Sequence, residues 1–382
     1  MDSSESAILT LGLFPEDLII EILSYVPVKS LSRFKSVSKS WYSLIQKPNF
    51  IAKHLHRSTK YPQNQGLLIL SQIQHFPPDQ CPTEILLTLF VGKTLDFPSE
   101  VEFPPSVDKT LGDFTLIGPC NGIFCFSSKQ GTGLWNPSIK EFRLLPQSCT
   151  VDELKYPVSQ VGFGFDSKDN DYKVLDIRSR TVSSQTHCVV EIYSLRADSW
   201  KRIDTHFPNS VLNGWFPSRA FSNDVFYWVG SVDSMTDSIT DPIYAFDMVD
   251  ETFWEVPKPV ILQNSWHRIL IFPLHGSVAL VAFKPNRVRE EQCDIWVMEG
   301  SGNGADGDKV WTKLRTVGPF PGVVLPLGFS RNNELLLFDM HRGVIMFDDK
   351  VMESRGPIVH GNFPQVLYYE ESMVSVNGAR RE

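Results

Sequence analysis

The groups in this chain that could perform chemistry are few, and their settings argue against it. Gly302-x-Gly304-x-x-Gly307 has the form of a dinucleotide fingerprint. That motif works where it follows a strand and opens a helix, so that pyrophosphate meets the positive helix end. Here it sits in "GSGNGADGD", a hairpin insertion between two β-type segments, where Asp306 and Asp308 would repel a phosphate. "DSKDND", from Asp166 to Asp171, collects acids in a turn but lacks the alternation and distant glutamate of a calcium loop. The six cysteines (81, 120, 125, 149, 188 and 293) form no C-x-x-C pair. Cys120 and Cys125 would face opposite sides of a strand and could not share a metal without a bend. Neither a G-x-S-x-G elbow nor an H-E-x-x-H helix occurs, and the nine histidines are scattered. No catalytic residue, metal or cofactor is expected.

Charge is the stronger signal. The net charge of −8 hides five acids and no bases in residues 1–28, then eight bases and no acids in residues 29–60. The cations Lys29, Arg33, Lys35, Lys39 and Lys47 permit phosphate binding. They are spread round successive turns, however, and match no nucleic-acid motif; a solvated face, or steering toward an acidic protein, is the preferred reading. Residues 220–257 are the converse, with eight acids and no lysine or arginine. Asp233, Asp237 and Asp241 within them are candidate contacts for a basic target. Solvated, turn-forming aspartates are the bland alternative.

Two kinds of element must carry these groups. The first 57 residues read as short helices: Pro15 with Glu16 and Asp17 suits a helix start, and Leu18, Ile22 and Val26 recur every four residues. Pro27 is expected to end that helix, after which Leu31, Phe34, Val37, Trp41 and Leu44 resume the stripe, and Pro48 marks another break. So small a cluster cannot bury all its apolar faces alone. From about residue 62 the texture changes to short apolar runs separated by turn residues. An aromatic, a polar turn and a second aromatic seven residues later recur as Trp135/Phe142, Tyr193/Trp200 and Phe246/Phe253. Trp296/Trp311 repeats this with a longer loop, Phe90/Phe97 more weakly, and Phe347 keeps the first half. First aromatics at 90, 135, 193, 246, 296 and 347 give a period near 50, which in all-β sequence indicates a propeller of about six four-stranded blades. A large β-sandwich is the alternative. The expected fold is thus a small all-α head, residues 9–57, followed by an all-β propeller-like domain, residues 62–372.

The N-terminus carries no basic leader, and no apolar run approaches the roughly 20 residues that span a bilayer. With cysteines too sparse for a disulfide framework, the expectation is a reducing compartment, the cytoplasm and also the nucleus, with no membrane contact.

"FPEDLIIEILSYVPVKSLSRFKSVSKSWYSLI" resembles an F-box, with Phe14 in place of the usual leucine and Ser38 where cysteine is common. "GPCNGIFCF", "LWNPSIKEFRLLP", "VGFGFDSKDNDYKV" and "EIYSLRADSW" resemble, in order, the plant F-box-associated domain; "RFKSVSKSW" and "YYEESMVSVNG" look most like its S-locus group. The resemblance implies a substrate receptor of an SCF-type ubiquitin ligase that binds a Skp-type adaptor and, through it, cullin and RING subunits. It implies adaptor contact by Phe14, Pro15, Leu18, Ile22, Leu23, Val26, Pro27, Leu31 and Trp41, with Phe34, Val37 and Leu44 packing inside the module. The target would be a protein, a pistil ribonuclease in the S-locus reading, and no nucleic acid. Turnover of another plant protein such as an immune receptor, or a scaffold or lectin that directs no degradation, stays open.

Overall fold

The computed structural model describes residues 14–60, 65–73, 84–91, 98–104, 114–128, 131–148, 158–182, 185–204, 218–230, 242–263, 268–283, 290–300, 309–321, 324–348, 353–359 and 361–377. Among the described residues four helices come first: α1 (Glu16–Leu23), α2 (Val28–Phe34), α3 (Lys39–Ile45) and α4 (Pro48–Lys60). Prolines set three of their starts. Pro15 and Pro27 cap α1 and α2 with φ of −54° and −56°, and Pro48 opens α4. A ring that fixes φ and lacks an N–H fits where helix amides have no internal acceptor. Pro15 therefore stands one residue outside the helix it was expected to begin. Pro27 does not end α1, which stops at Leu23; it starts the next helix. Ser38 caps α3, its Oγ accepting from the Trp41 N–H at 3.2 Å.

The inner faces of these helices meet in one cluster: Leu23, Val28, Leu31, Leu44, Ile45 and Phe50, joined by Met373 from the far end of the chain. Two assignments from the sequence are corrected here. Leu23 and Leu31, expected on the docking stripe, are 4% and 0% exposed and fill the chain's own core. Val37, expected inside, is 58% exposed. The cause is that helices of seven or eight residues present only one or two residues per turn inward, and burial of the larger aliphatic cluster takes precedence.

Apart from one turn of 3-10 helix at Val260–Leu262, the remaining elements among the described residues are strands, in six sheets of four. The first sheet holds β1 (Gln65–Ile73), β2 (Glu84–Val91) and β3 (Pro98–Glu100), and the last strand, β24 (Asn362–Glu370), returns to pair with β1. The second is β4 (Thr115–Cys120), β5 (Ile123–Ser128), β6 (Gly131–Asn136) and β7 (Glu141–Leu144); the third is β8 (Val158–Asp166), β9 (Asp171–Val182), β10 (Gln185–Ser194) and β11 (Ser199–Arg202). The fourth runs β12 (Arg219–Ser222), β13 (Val225–Val229), β14 (Ile243–Asp247) and β15 (Thr252–Val256). β16 (Arg268–Leu274), β17 (Ser277–Phe283), β18 (Glu290–Glu299) and β19 (Val310–Pro321) make the fifth. The sixth is β20 (Val324–Phe329), β21 (Leu335–Asp339), β22 (Gly343–Asp348) and β23 (Glu353–Val359). These are the blades of a six-bladed β-propeller. The first aromatics of the repeat, Phe90, Trp135, Tyr193, Phe246, Trp296 and Phe347, all stand on the third strand of a blade.

The chain divides into two compact units. One holds residues 1–69, 86–145 and 367–382; the other holds 70–85 and 146–366. In the second unit the blades bury both faces. On β17, Val278, Leu280 and Ala282 pack with the fourth blade, while Ala279, Val281 and Phe283 pack with the sixth. That is why "SVALVAF" has no polar alternation. Gly164 is required by the same closeness: a Cβ there would lie 2.3 Å from the Phe221 ring.

The seven-residue aromatic spacing is a cross-strand pair over a four-residue turn. Trp135 faces Phe142, Tyr193 faces Trp200 with ring centroids 5.4 Å apart, and Phe246 faces Phe253 at 4.5 Å. The turns share a device. Asn136 and Asp247 Oδ1 accept backbone N–H bonds from within the turn, and the last turn residue is left-handed (Lys140 φ 56°, Asp198 φ 54°, Glu251 φ 54°). Trp296 departs from the expected pairing: it faces Lys313, and Trp311 faces Met298, because the hairpin closes with Glu299 opposite Val310, two residues out of the register that would set the tryptophans face to face. Phe347 faces Ser354, and Phe97 lies outside the described residues.

Candidate docking face of the helical head

With Leu23 and Leu31 turned inward, the outer side of α1 is left apolar and uncovered. Leu18 and Ile22, four residues apart and so on one face, are 43% and 57% exposed; Phe14, just before the helix, is 53% exposed. Pro15 and Pro27 are exposed as well, and Val26 is half-buried against the core cluster. Trp41 is half-buried, its ring edge-on to Phe34 with centroids 5.4 Å apart. Of the nine residues the F-box resemblance singled out, seven thus retain some accessible surface and two do not. Tyr25 and Val37, at 52% and 58% exposure, add to the outward apolar surface and were not among them. Charge spacing alone gave no reason to select them; only the helix boundaries reveal their direction.

Polar contacts fix this face from behind. The Pro15 carbonyl accepts from Leu18 N–H at 3.0 Å, and the Pro27 carbonyl from Leu31 N–H at 3.1 Å. Glu21 is bound by Lys53 at 2.6 Å and by Arg57, whose guanidinium also lies 3.9 Å over the Tyr25 ring. Hydrogen bonds from Lys53 and Arg57 hold the Glu21 carboxyl below its ordinary range. Lys47 pairs with Glu16. Three of the eight bases are therefore answered by the acids of α1. Lys29, Arg33 and Lys39 are exposed, with no ion pair to them among the described residues.

The acid-rich stretch has a different outcome. Asp233, Asp237 and Asp241 lie outside the described residues. Of the five described acids there, three are engaged by the fold. Asp224 accepts from Ser167 N–H and Oγ–H at 3.2 and 2.6 Å. Asp247 is 1% exposed and holds its turn. Glu251 pairs with Lys201 at 2.8 Å and Lys173 at 3.2 Å. Asp250 and Glu255 face outward.

Among the described residues of the propeller, no cluster assembles into evident chemistry. Lys309 Nζ donates to Tyr227 Oη at 2.9 Å and lies 4.8 Å from the Trp254 ring centroid; burial lowers the lysine and raises the tyrosine. Cys120, Cys125 and Cys293 are buried thiols, and burial pushes Cys188 up to about 11, away from thiolate reactivity. Among the described residues no group of three or more His, Cys, Asp or Glu could hold a metal, and no helix is long and apolar enough to cross a membrane.

Comparison with known proteins agrees with this architecture. An F-box domain model matches residues 11–53, and an F-box associated beta propeller domain model matches residues 84–373. An F-box/kelch-repeat protein of Arabidopsis thaliana is 27% identical over 347 residues, 87% of each chain. The F-box protein CPR1 of Arabidopsis thaliana is 26% identical over 361 residues, covering 88% of this chain and 81% of that one. Among solved structures, an acylaminoacyl peptidase from Pyrococcus horikoshii matches with a TM-score of 0.39 at 10% identity, over 77% of this chain and 51% of that one, a likeness too distant to carry any inference. With helices and six blades in place and both domain models matched, the chain belongs to the F-box proteins that carry an F-box associated β-propeller domain.

Proposed function

We propose that this protein is the substrate-recognition subunit of an SCF-type ubiquitin ligase. The head docks on a Skp-type adaptor, and the propeller holds a protein target within reach of the cullin- and RING-bound ubiquitin carrier. The observation that carries this reading is the uncovered stripe of Phe14, Leu18 and Ile22 on a head whose own core is already filled. An amphipathic helix with such a stripe suits helix-in-groove docking, with Lys29, Arg33 and Lys39 available to steer an acidic partner. The chain performs no bond chemistry in this role; it raises the effective concentration of target lysines near the carrier.

The test is titration of the full chain with a recombinant plant Skp-type adaptor. Burying one leucine or isoleucine contributes about 1.5–3 kcal/mol. Leu18→Asp/Ile22→Asp should therefore weaken binding at least about a hundredfold while leaving the melting temperature near that of wild type, since both side chains are exposed. Equal affinity for the two proteins would remove the docking face.

For the target, the acid-rich stretch supports a basic protein, and the S-locus likeness of "RFKSVSKSW" and "YYEESMVSVNG" supports a pistil ribonuclease. Reversing Asp233, Asp237 and Asp241 to lysine should slow association with such a ribonuclease. Association rates that stay the same at low salt would contradict the electrostatic part of the proposal.

A further inference from the structure

The head was too small to cover its own apolar faces, and what it leans on is the chain's far end. After β24, residues 371–377 run as a strap against the second blade. Asn136, fully buried at the start of the β6–β7 turn, donates from Nδ2 to the Ser372 carbonyl at 3.0 Å and the Val374 carbonyl at 2.8 Å. The Ser138 hydroxyl accepts from Ser372 N–H at 3.1 Å. Glu141 Oε2 accepts from Ser375 Oγ at 2.6 Å and from Val376 N–H at 3.1 Å. Gly122, with φ +76°, leaves the room: a Cβ there would lie 2.3 Å from Ser372 Cβ.

Held in this way, the strap offers two side chains to the head. Met373, 2% exposed, joins the cluster of Leu23, Val28, Leu31, Leu44, Ile45 and Phe50. Glu371 Oε2 accepts from the Val28 N–H at 2.9 Å, across 343 residues of sequence. Val28 is the first residue of α2, directly after Pro27. On the other side of the same corner His54 Nε2 lies 3.0 Å from the Val26 carbonyl. The Val26-Pro27-Val28 corner, which sets the direction of α2 relative to the exposed stripe of α1, is thus pinned from both ends. One pin belongs to α4 and the other to the strap.

We propose that Glu371 and Met373 are positioning residues of the docking face: they hold the α1–α2 corner in its docking geometry, so that the head is competent to bind only once the chain's last strand and strap are in place. Incomplete chains, or chains whose propeller has not closed, would then present a misaligned F-box. The inference rests on the docking role proposed above.

The experiment uses the full chain and the same recombinant adaptor, with Glu371→Ala, Glu371→Gln and Ile22→Asp, each measured for adaptor affinity, thermal melting and the Val28 amide resonance. Removing the acceptor of a partly buried, charge-assisted hydrogen bond should weaken docking about tenfold and shift the Val28 amide. Glu371→Gln, which keeps an acceptor oxygen, should recover most of the affinity. A merely structural role would lower the melting temperature without changing the affinity of the folded protein, and that result would overturn the proposal. If Ile22→Asp abolishes binding but Glu371→Ala binds as wild type does, the strap inference fails alone. If Ile22→Asp binds normally, the docking role itself fails.

Discussion

His54 is 2% exposed, sits 6.2 Å from the Phe50 ring centroid, and reaches the Val26 carbonyl through Nε2. Burial holds its imidazole below the ordinary 6.5, while the Val26 bond and the nearby Glu371 carboxylate act weakly the other way. The unfolded chain therefore takes up a proton that the folded head resists. This contribution to stability is complete above pH 6.5 and is lost as pH falls through the lowered value. Denaturation of wild type between pH 8 and 5 should show this decline, and His54→Gln, which keeps a donor to Val26, should flatten it; parallel curves would contradict the assignment. Met373 gives a second expectation at this scale. Met373→Ala leaves a hole in the head's core and should cost about 2–5 kcal/mol, read from urea melts. Neither residue could be singled out from the sequence. His54 is one of nine scattered histidines, and the strap residues carry no spacing that ties them to a helix 343 residues away.

At the scale of elements, the sequence was most informative where local spacing is also structural spacing. The seven-residue aromatic interval worked because a four-residue turn places residues i and i+7 directly opposite, as for Phe246 and Phe253. It failed at Trp296 and Trp311, where the longer hairpin closes with Glu299 opposite Val310, a register that residue types do not reveal. The stripe on the helices was legible as a stripe, yet not its division into core and exterior. Leu31 and Ile22 carry similar side chains, and only the helix packing makes one 0% and the other 57% exposed. Packing between blades gives a prediction of its own. Gly164→Ala would push a methyl group into the Phe221 ring and the Met248 side chain. It should destabilise by about 1–3 kcal/mol, because an over-packed blade must shift as a whole. Circular dichroism melts would register the loss, and a neutral result would mean that Phe221 yields freely.

For the whole molecule, the period near 50 residues is the repeat of a blade, and hydrogen bonds repeat with it. Trp200 Nε1 donates to the Pro146 carbonyl at 2.7 Å and Trp311 Nε1 to the Pro257 carbonyl at 2.8 Å, both across 54 residues. Composition and period were enough to anticipate a helical head and about six blades; they could not show that the final residues return to complete the head. If one chain joins an adaptor-binding head to a target-binding propeller, affinity capture from proteasome-inhibited plant tissue should reveal both partners together. Wild type is compared with Ile22→Asp, chosen because Ile22 is exposed whereas Leu31 is buried. Wild type should bring down adaptor, cullin and one further protein, and the variant should lose the first two while retaining and enriching the third. Capture of no adaptor by wild type, or equal adaptor with both proteins, would contradict it.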